Sequence, residues 1–234
     1  MRRFLPPLVW LTLLLSAAWL MPLLQPVFRA LTPDRSTVIY QRDTFFSLLS
    51  EHVAIVTVSA VAAIVIGVGS AILVTRRSGE EFLPLVSQLA SIGQTFPPVA
   101  VLALSVPALG YGAEAVVVAL VLYGLLPIVR NTLAGLQSVD RGVKESARGI
   151  GLSPWQVLFQ VELPIAAPAI LGGIRTSVTI NIATAAIGST IGANTLGDPI
   201  ISGIVNNNIA FTVQGAVLIG LLAVTVDSAF SRLK

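Results

Sequence analysis

The chain of 234 residues contains no cysteine and a single histidine, His52. Disulfides and thiolate metal sites are therefore excluded, and one imidazole cannot build a histidine cluster, so no metal ligand set is assigned. Charge is almost as scarce: 11% of residues are charged, against about a quarter in a soluble domain. Lysine occurs only at Lys144 and Lys234, behind Val143 and Leu233. The Gly-Lys-Ser/Thr core of a phosphate-binding loop is thus missing, and this chain cannot hold ATP in that way. A Gly-x-Ser-x-Gly elbow is missing too, which leaves an intramembrane enzyme without support. The net charge of +3 comes with no basic face, which argues against nucleic acid as a partner.

What remains is apolar. Hydrophobic residues make up 55% of the chain and mean hydropathy is +0.88, which excludes an ordinary globular protein. Apolar runs occupy residues 5–24, 53–74, 83–109, 113–129, 165–191 and 209–230. Most approach or exceed the roughly 20 residues needed to cross a hydrocarbon core, so the expected fold is an all-α integral membrane protein with six transmembrane helices. Six crossings put both termini on one side. With the N-terminus inside, Arg2, Arg3, Arg76, Arg77, Arg130, Arg141, Lys144, Arg148, Arg232 and Lys234 are cytoplasmic and only Arg29, Arg35 and Arg42 are outside, so both termini are assigned to the cytoplasm. Residues 1–50 then form an N-terminal transmembrane helix and a water-facing periplasmic segment from Gln25 to Ser50, and residues 51–234 form the main membrane domain. The first run is also compatible with a signal peptide, since Ser16-Ala17-Ala18 loosely resembles a cleavage site; its apolar length through Leu24 favours a span. Glu114, Arg175 and Asp227 all fall near the ends of runs. A charge at mid-span costs about 2.5–3.5 kcal/mol and usually marks an ion or proton route, so its absence weakens an ion-coupled secondary transporter or a channel acting alone.

The segment 141–164 breaks this pattern. Ser153-Pro154-Trp155-Gln156 reads as a helix start, with a serine cap, proline at the first helical position and Gln156 able to reach back to the cap. A helix from there to about Glu162 is expected to stop before Pro164. Residues 143–150 form a second short helix, and Gly149 and Gly151 supply a joint between the two. Ile150, Leu152, Trp155 and Phe159 are apolar residues on a water-facing element. They fit either a partner surface or an interfacial helix lying on the membrane.

Glu145, Ala147, Gly151, Leu163 and Pro164 carry a resemblance. Their spacing is similar to the cytoplasmic signature of the membrane subunits of binding-protein-dependent ABC importers, with Ser146 in place of one alanine and Val161 in place of the isoleucine. The resemblance implies a type I importer permease fold, in which 141–164 is a coupling segment seated on a separate cytosolic ABC ATPase. Glu145, Ser146, Ala147, Gly151, Leu163 and Pro164 would make that contact. ATP and Mg would be bound by the ATPase, leaving this chain without a cofactor. A second permease subunit and a periplasmic substrate-binding protein complete the implied assembly, set in the lipid of a bacterial inner membrane.

The stretches "IGQTFPPVAVLALSVPALGYG", "LYGLLPIVRNTLAGL" and "LPIAAPAILGGIRTSVTINIATAAIGSTIGANTLGDPI" resemble more closely the permeases for osmoprotectants such as glycine betaine and choline. Phe96-Pro97-Pro98 removes two backbone donors and is expected to break or kink the third run, as happens in spans that line a path. The fifth run carries Asn181 and Thr184 among small residues, which suits either close helix packing or a polar lining. Pro97, Pro98, Asn181 and Thr184 are the candidate path residues.

Overall fold

The computed structural model describes residues 5–232; Arg2, Arg3 and Lys234 of the charge count lie outside them. The described chain is helical. In order it forms α1 (Leu5–Leu20), α2 (Gln25–Leu31), α3 (Phe45–Val74), α4 (Leu83–Thr95), α5 (Pro98–Leu109), α6 (Ala113–Gln137), α7 (Arg141–Gly149), α8 (Pro154–Val157), α9 (Leu163–Ala185), α10 (Asp198–Val205) and α11 (Ile209–Phe230). Short 3-10 turns occupy Met21–Leu24, Glu80–Phe82 and Ala186–Ile191, and a π turn occupies Leu158–Glu162.

Among the described residues, five helical segments are long and apolar enough to cross a membrane: Leu5–Leu31, Phe45–Val74, Ala113–Gln137, Pro154–Ile191 and Ile209–Phe230. The third run of the sequence is divided into α4 and α5, each too short to cross alone. Phe96 and Pro97 are extended there, and Pro98 begins α5 with its missing N–H at a position that needs none.

Two boundaries differ from expectation. The segment 25–50 is neither wholly irregular nor wholly wet: helix continues to Leu31, and α3 begins at Phe45 rather than at Val53. The early start has a local cause. Asp43 Oδ1 accepts the Thr44 N–H and Thr44 Oγ1 accepts the Ser47 N–H, which satisfies first-turn donors. Pro164 also fails to stop the helix. The π turn before it shifts the bonding register, with the Leu163 N–H on the Leu158 carbonyl, so the proline ring is not opposed by a regular i−4 bond.

The chain divides into two compact units. The first contains residues 5–59, 97–120 and 179–232. In it α1 packs along α11, and α10 folds back on α11. Its irregular segment 35–44 is stitched to α11: the wholly buried Gln214 donates Nε2–H to the Val38 carbonyl at 2.6 Å and accepts the Tyr40 N–H at 3.1 Å. One amide side chain thereby does what a neighbouring strand would do. Asn208 Nδ2 donates to the Thr37 carbonyl, and the Tyr40 ring meets Phe211 edge-on at 5.8 Å. Val38, Ile39 and Tyr40 are buried as a result.

The second unit contains residues 60–96 and 121–178. Its core joins Ala71 and Val74 of α3, Ala90 of α4 and Leu126, Val129 and Leu133 of α6. A second cluster joins Leu136 of α6 to Leu158, Ala166 and Ile170. On α3, Val61, Val65, Ile66 and Leu73 face outward, as a lipid-contacting surface requires.

Replacing Gln214 with leucine keeps the volume and removes both bonds to the Val38–Tyr40 backbone. The expected loss is about 2–4 kcal/mol, seen as a lower melting temperature in detergent micelles. An unchanged melting temperature would show that the segment is held by apolar contacts instead.

Candidate functional site

The helix, glycine joint and helix over 141–164 form as two capped elements. Asp140 caps α7 by accepting the Gly142 N–H at 2.7 Å and the Val143 N–H at 3.3 Å. α7 ends with the Gly151 N–H on the Arg148 carbonyl and the Leu152 N–H on the Ala147 carbonyl, while Gly151 takes φ +92°. That ending is one only glycine enters without strain. A Cβ on Gly151 would meet nothing within 4 Å in this chain, so backbone conformation, not local crowding, requires glycine there. α8 opens with a reciprocal capping box: the Ser153 N–H donates to Gln156 Oε1 at 2.8 Å, and Ser153 Oγ accepts the Gln156 N–H.

Ile150, Trp155 and Phe159 are 80%, 61% and 60% exposed, and the rings of Trp155 and Phe159 stack at 6.1 Å. Leaving this much apolar surface in water is costly unless another surface covers it. Glu145 is exposed and paired with Arg141 at 2.8 Å, an i,i+4 pair worth about 0.3–0.5 kcal/mol. Ser146, Gly151 and Pro164 are exposed, Leu163 is half-buried, and Ala147 is buried against the body of its unit.

The residue that fixes the segment is Glu162, which sequence reasoning treated only as a helix end. It is 2% exposed, lies in the π turn, accepts a hydrogen bond from Arg76 Nη2 beyond the end of α3, and stands 4.0 Å from Lys144 Nζ. Lys144 also donates to the Leu136 carbonyl at 3.1 Å. One carboxylate thereby joins the end of α3, α7 and the start of α9 within the second unit. A cleft of about 930 Å³ opens beside it, lined by Arg76, Arg77, Lys144, Arg148, Trp155 and Glu162 among others. The signal in the sequence was the lone acid in the apolar stretch 157–171.

The four candidate path residues belong to the first unit. Pro97 is exposed and Pro98 half-buried at the start of α5, and α5 packs on the 3-10 turn 186–191 that ends α9. Asn181 and Thr184 lie in the last turns of α9. Thr184 is half-buried; Asn181 is wholly buried, and neither Nδ2 nor Oδ1 has a hydrogen-bond partner among the described residues. Around the turn, Ser189 Oγ and Thr195 Oγ1 share a hydrogen bond at 2.9 Å, and Asp198 Oδ2 accepts the Thr195 N–H at 3.0 Å. Burial pushes the Asp198 carboxyl above its ordinary range, and Asp43 and Glu51 add to the shift; the bonds from Thr195 and Ser189 oppose it. No group of three or more metal-ligating side chains occurs among the described residues.

The sequence of residues 63–233 matches the family model described as a binding-protein-dependent transport system inner membrane component. An osmoprotectant import permease protein of Salmonella typhimurium is 43% identical over 177 residues, covering 76% of this chain and 75% of that protein. A choline transport system permease protein of Bacillus subtilis is 36% identical and covers 76% of this chain and 81% of its own length. Among solved structures, an inward-facing form of a methionine ABC transporter superposes with TM-score 0.72 at 23% identity, over 82% of this chain and 97% of that one. At that identity the likeness establishes a shared fold.

Glu162→Ala removes one partner of a buried ion pair and is expected to cost near the lower end of about 3–5 kcal/mol, since Arg76, with 24% of its side chain exposed, can turn toward water. Limited proteolysis should then cut within 141–164 faster than in the unaltered chain, with Glu162→Gln intermediate. Equal cutting rates in all three would mean that the carboxylate does not hold the segment.

Proposed function

The chain belongs to the inner membrane components of binding-protein-dependent transport systems, and from that membership we propose that it encloses the route of a small osmoprotectant of the glycine betaine, choline or carnitine kind. It is the permease subunit of an ATP-driven importer. ATP and Mg are held by separate cytosolic ATPase subunits, a periplasmic binding protein delivers the cargo, and a second permease, identical or different, completes the passage. The assembly sits in a bacterial inner membrane with six crossings, the third divided at Pro97–Pro98, and both termini in the cytoplasm. This subunit carries out no covalent chemistry.

The observation that carries the coupling part of this reading is the pair of capped helices joined at Gly151. Their exposed Ile150, Trp155 and Phe159 form a rigid apolar element with no cover among the described residues. Such an element can be displaced as one body when a motor subunit closes on it. Glu145, Ser146, Ala147, Gly151, Leu163 and Pro164 form or frame that contact. The unpartnered amide of Asn181 supports its place on the route, because two unmet polar atoms in an apolar setting cost about 1–3 kcal/mol each unless a passing solute or a partner meets them. No charge need be buried for a zwitterionic cargo.

Reconstitution in proteoliposomes with the ATPase and binding protein tests the whole. ATP-dependent uptake of a labelled trimethylammonium solute is expected; uptake by this chain alone, driven by an ion gradient and indifferent to ATP, would replace the importer reading with a carrier. In the same system Gly151→Val forces a β-branched residue to positive φ, at a cost of at least about 1–2 kcal/mol. It should lower uptake while ATP hydrolysis by the assembly continues; normal uptake with normally stimulated hydrolysis would remove Gly151 from coupling. Asn181→Leu should change the transport rate without loosening the ATPase, and an unaltered rate would return Asn181 to helix packing.

A further inference from the structure

His52 lies near the start of α3, wholly buried in an apolar helix, and nothing in the coupling or path assignments uses it. Its Nε2 is 3.1 Å from the Ile182 carbonyl, and its Nδ1 is 3.3 Å from the Leu196 nitrogen. Those partners fix the tautomer: Nε2–H donates to Ile182, and Nδ1 accepts the Leu196 N–H. Ile182 stands in the last turn of α9, where the carbonyls run out of regular helical donors. Leu196 stands in the link just before α10, beyond the 3-10 turn 186–191. A single imidazole therefore reaches both sides of the break in the fifth apolar run. The Ser189–Thr195 bond joins the 3-10 turn to the link after it, and the bonds among Thr195, Gly197 and Asp198 tie that link to itself, whereas His52 ties it to α3 and to the end of α9.

The residue before Ile182 is Asn181, with its unpartnered amide. We propose that His52 is a positioning residue for transport: by clasping the Ile182 carbonyl and the Leu196 N–H it holds the break shut around one backbone geometry and so aims the Asn181 amide. This rests on the reading that Asn181 borders the route. Polar atoms left unmet in a packed interior stay oriented only when neighbouring backbone is held, and the bond to the adjacent residue supplies that restraint.

The test uses the reconstituted assembly with ATPase and binding protein, a labelled trimethylammonium solute, and substitutions that separate the two bonds. In His52→Gln the amide N–H reaches as far as Nε2 and keeps the bond to Ile182. In His52→Asn the shorter side chain keeps an acceptor near Nδ1 and loses Ile182. Loss of one net hydrogen bond of about 1 kcal/mol corresponds to about a fivefold change, so the maximal uptake rate of the Asn variant should fall about fivefold below that of the Gln variant, at equal ATPase docking. Combined with Asn181→Leu, the Asn variant should add no further loss, because His52 acts through Asn181. Equal rates for the Gln and Asn variants, or losses that multiply in the double variant, would overturn the proposal. If Asn181→Leu alone transports normally, the path reading fails, and with it the claim that His52 aims that amide. If Asn181→Leu is impaired and the Gln and Asn variants are alike, the path reading stands and only the role of His52 falls.

Discussion

Hydrocarbon offers no hydrogen bonds, so each peptide group of a membrane-spanning chain must be met inside the protein, and an unbroken helix is the simplest way to meet them. This chain interrupts its helices repeatedly, and at three of the interruptions a side chain meets the freed backbone. Gln94 Nε2 donates to the Tyr123 carbonyl and Tyr123 donates its hydroxyl to the Phe96 carbonyl, beside the Pro97–Pro98 break. Gln214 completes the extended segment at Val38 and Tyr40, and His52 serves Ile182 and Leu196. The hydroxyls inside the apolar helices, such as Ser59 and Thr225, bond carbonyls of their own helix, whereas these longer side chains serve backbone elsewhere in the fold. Asn181 differs from Gln94, Gln214 and His52 as a buried side chain with neither polar atom partnered among the described residues. Its distinctiveness comes from the contrast with its neighbours, not from burial alone.

The segment 141–164 obeys different rules because most of its residues are exposed. Its order comes from two caps and a glycine ending, devices that each contribute about a kilocalorie per mole, and its attachment comes from a single buried carboxylate. Isolated buried ion pairs rarely stabilise a fold relative to apolar packing, so the pairing of Glu162 with Arg76 is better understood as fixing a geometry. Lys144 draws α7 to the same carboxylate, and the cluster of Leu136, Leu158, Ala166 and Ile170 packs alongside.

Much of this was legible in the amino-acid order. Hydropathy located the apolar runs, the prolines at 97 and 98 marked the divided one, and Ser153 to Gln156 announced a capping box that forms as expected. What escaped was whatever depends on partners distant in sequence. The burial of Val38 to Tyr40 rests on Gln214 and Asn208, far along the chain, and nothing local to residues 25–50 signals it. Glu162 and Arg76 are likewise remote from each other, and each alone resembles an interfacial charge. Pro164 misled for a related reason: the rule that proline ends a helix assumes regular bonding before it, and a π turn is invisible to periodicity. His52 was set aside because one imidazole cannot build a metal cluster, although a single imidazole suffices to satisfy two backbone groups.

The π turn also has a mechanical meaning. Had Pro164 ended the helix, a loop would separate the capped element from the fifth apolar run. Instead Pro154–Ile191 is one continuous helical segment, with the capped, exposed aromatic residues at its start and Asn181, Thr184 and the 3-10 turn near its end. Helix transmits axial and rotational displacement where loop does not. The π register keeps the segment continuous past a proline and buries Glu162 at the level where α3 and α7 meet it.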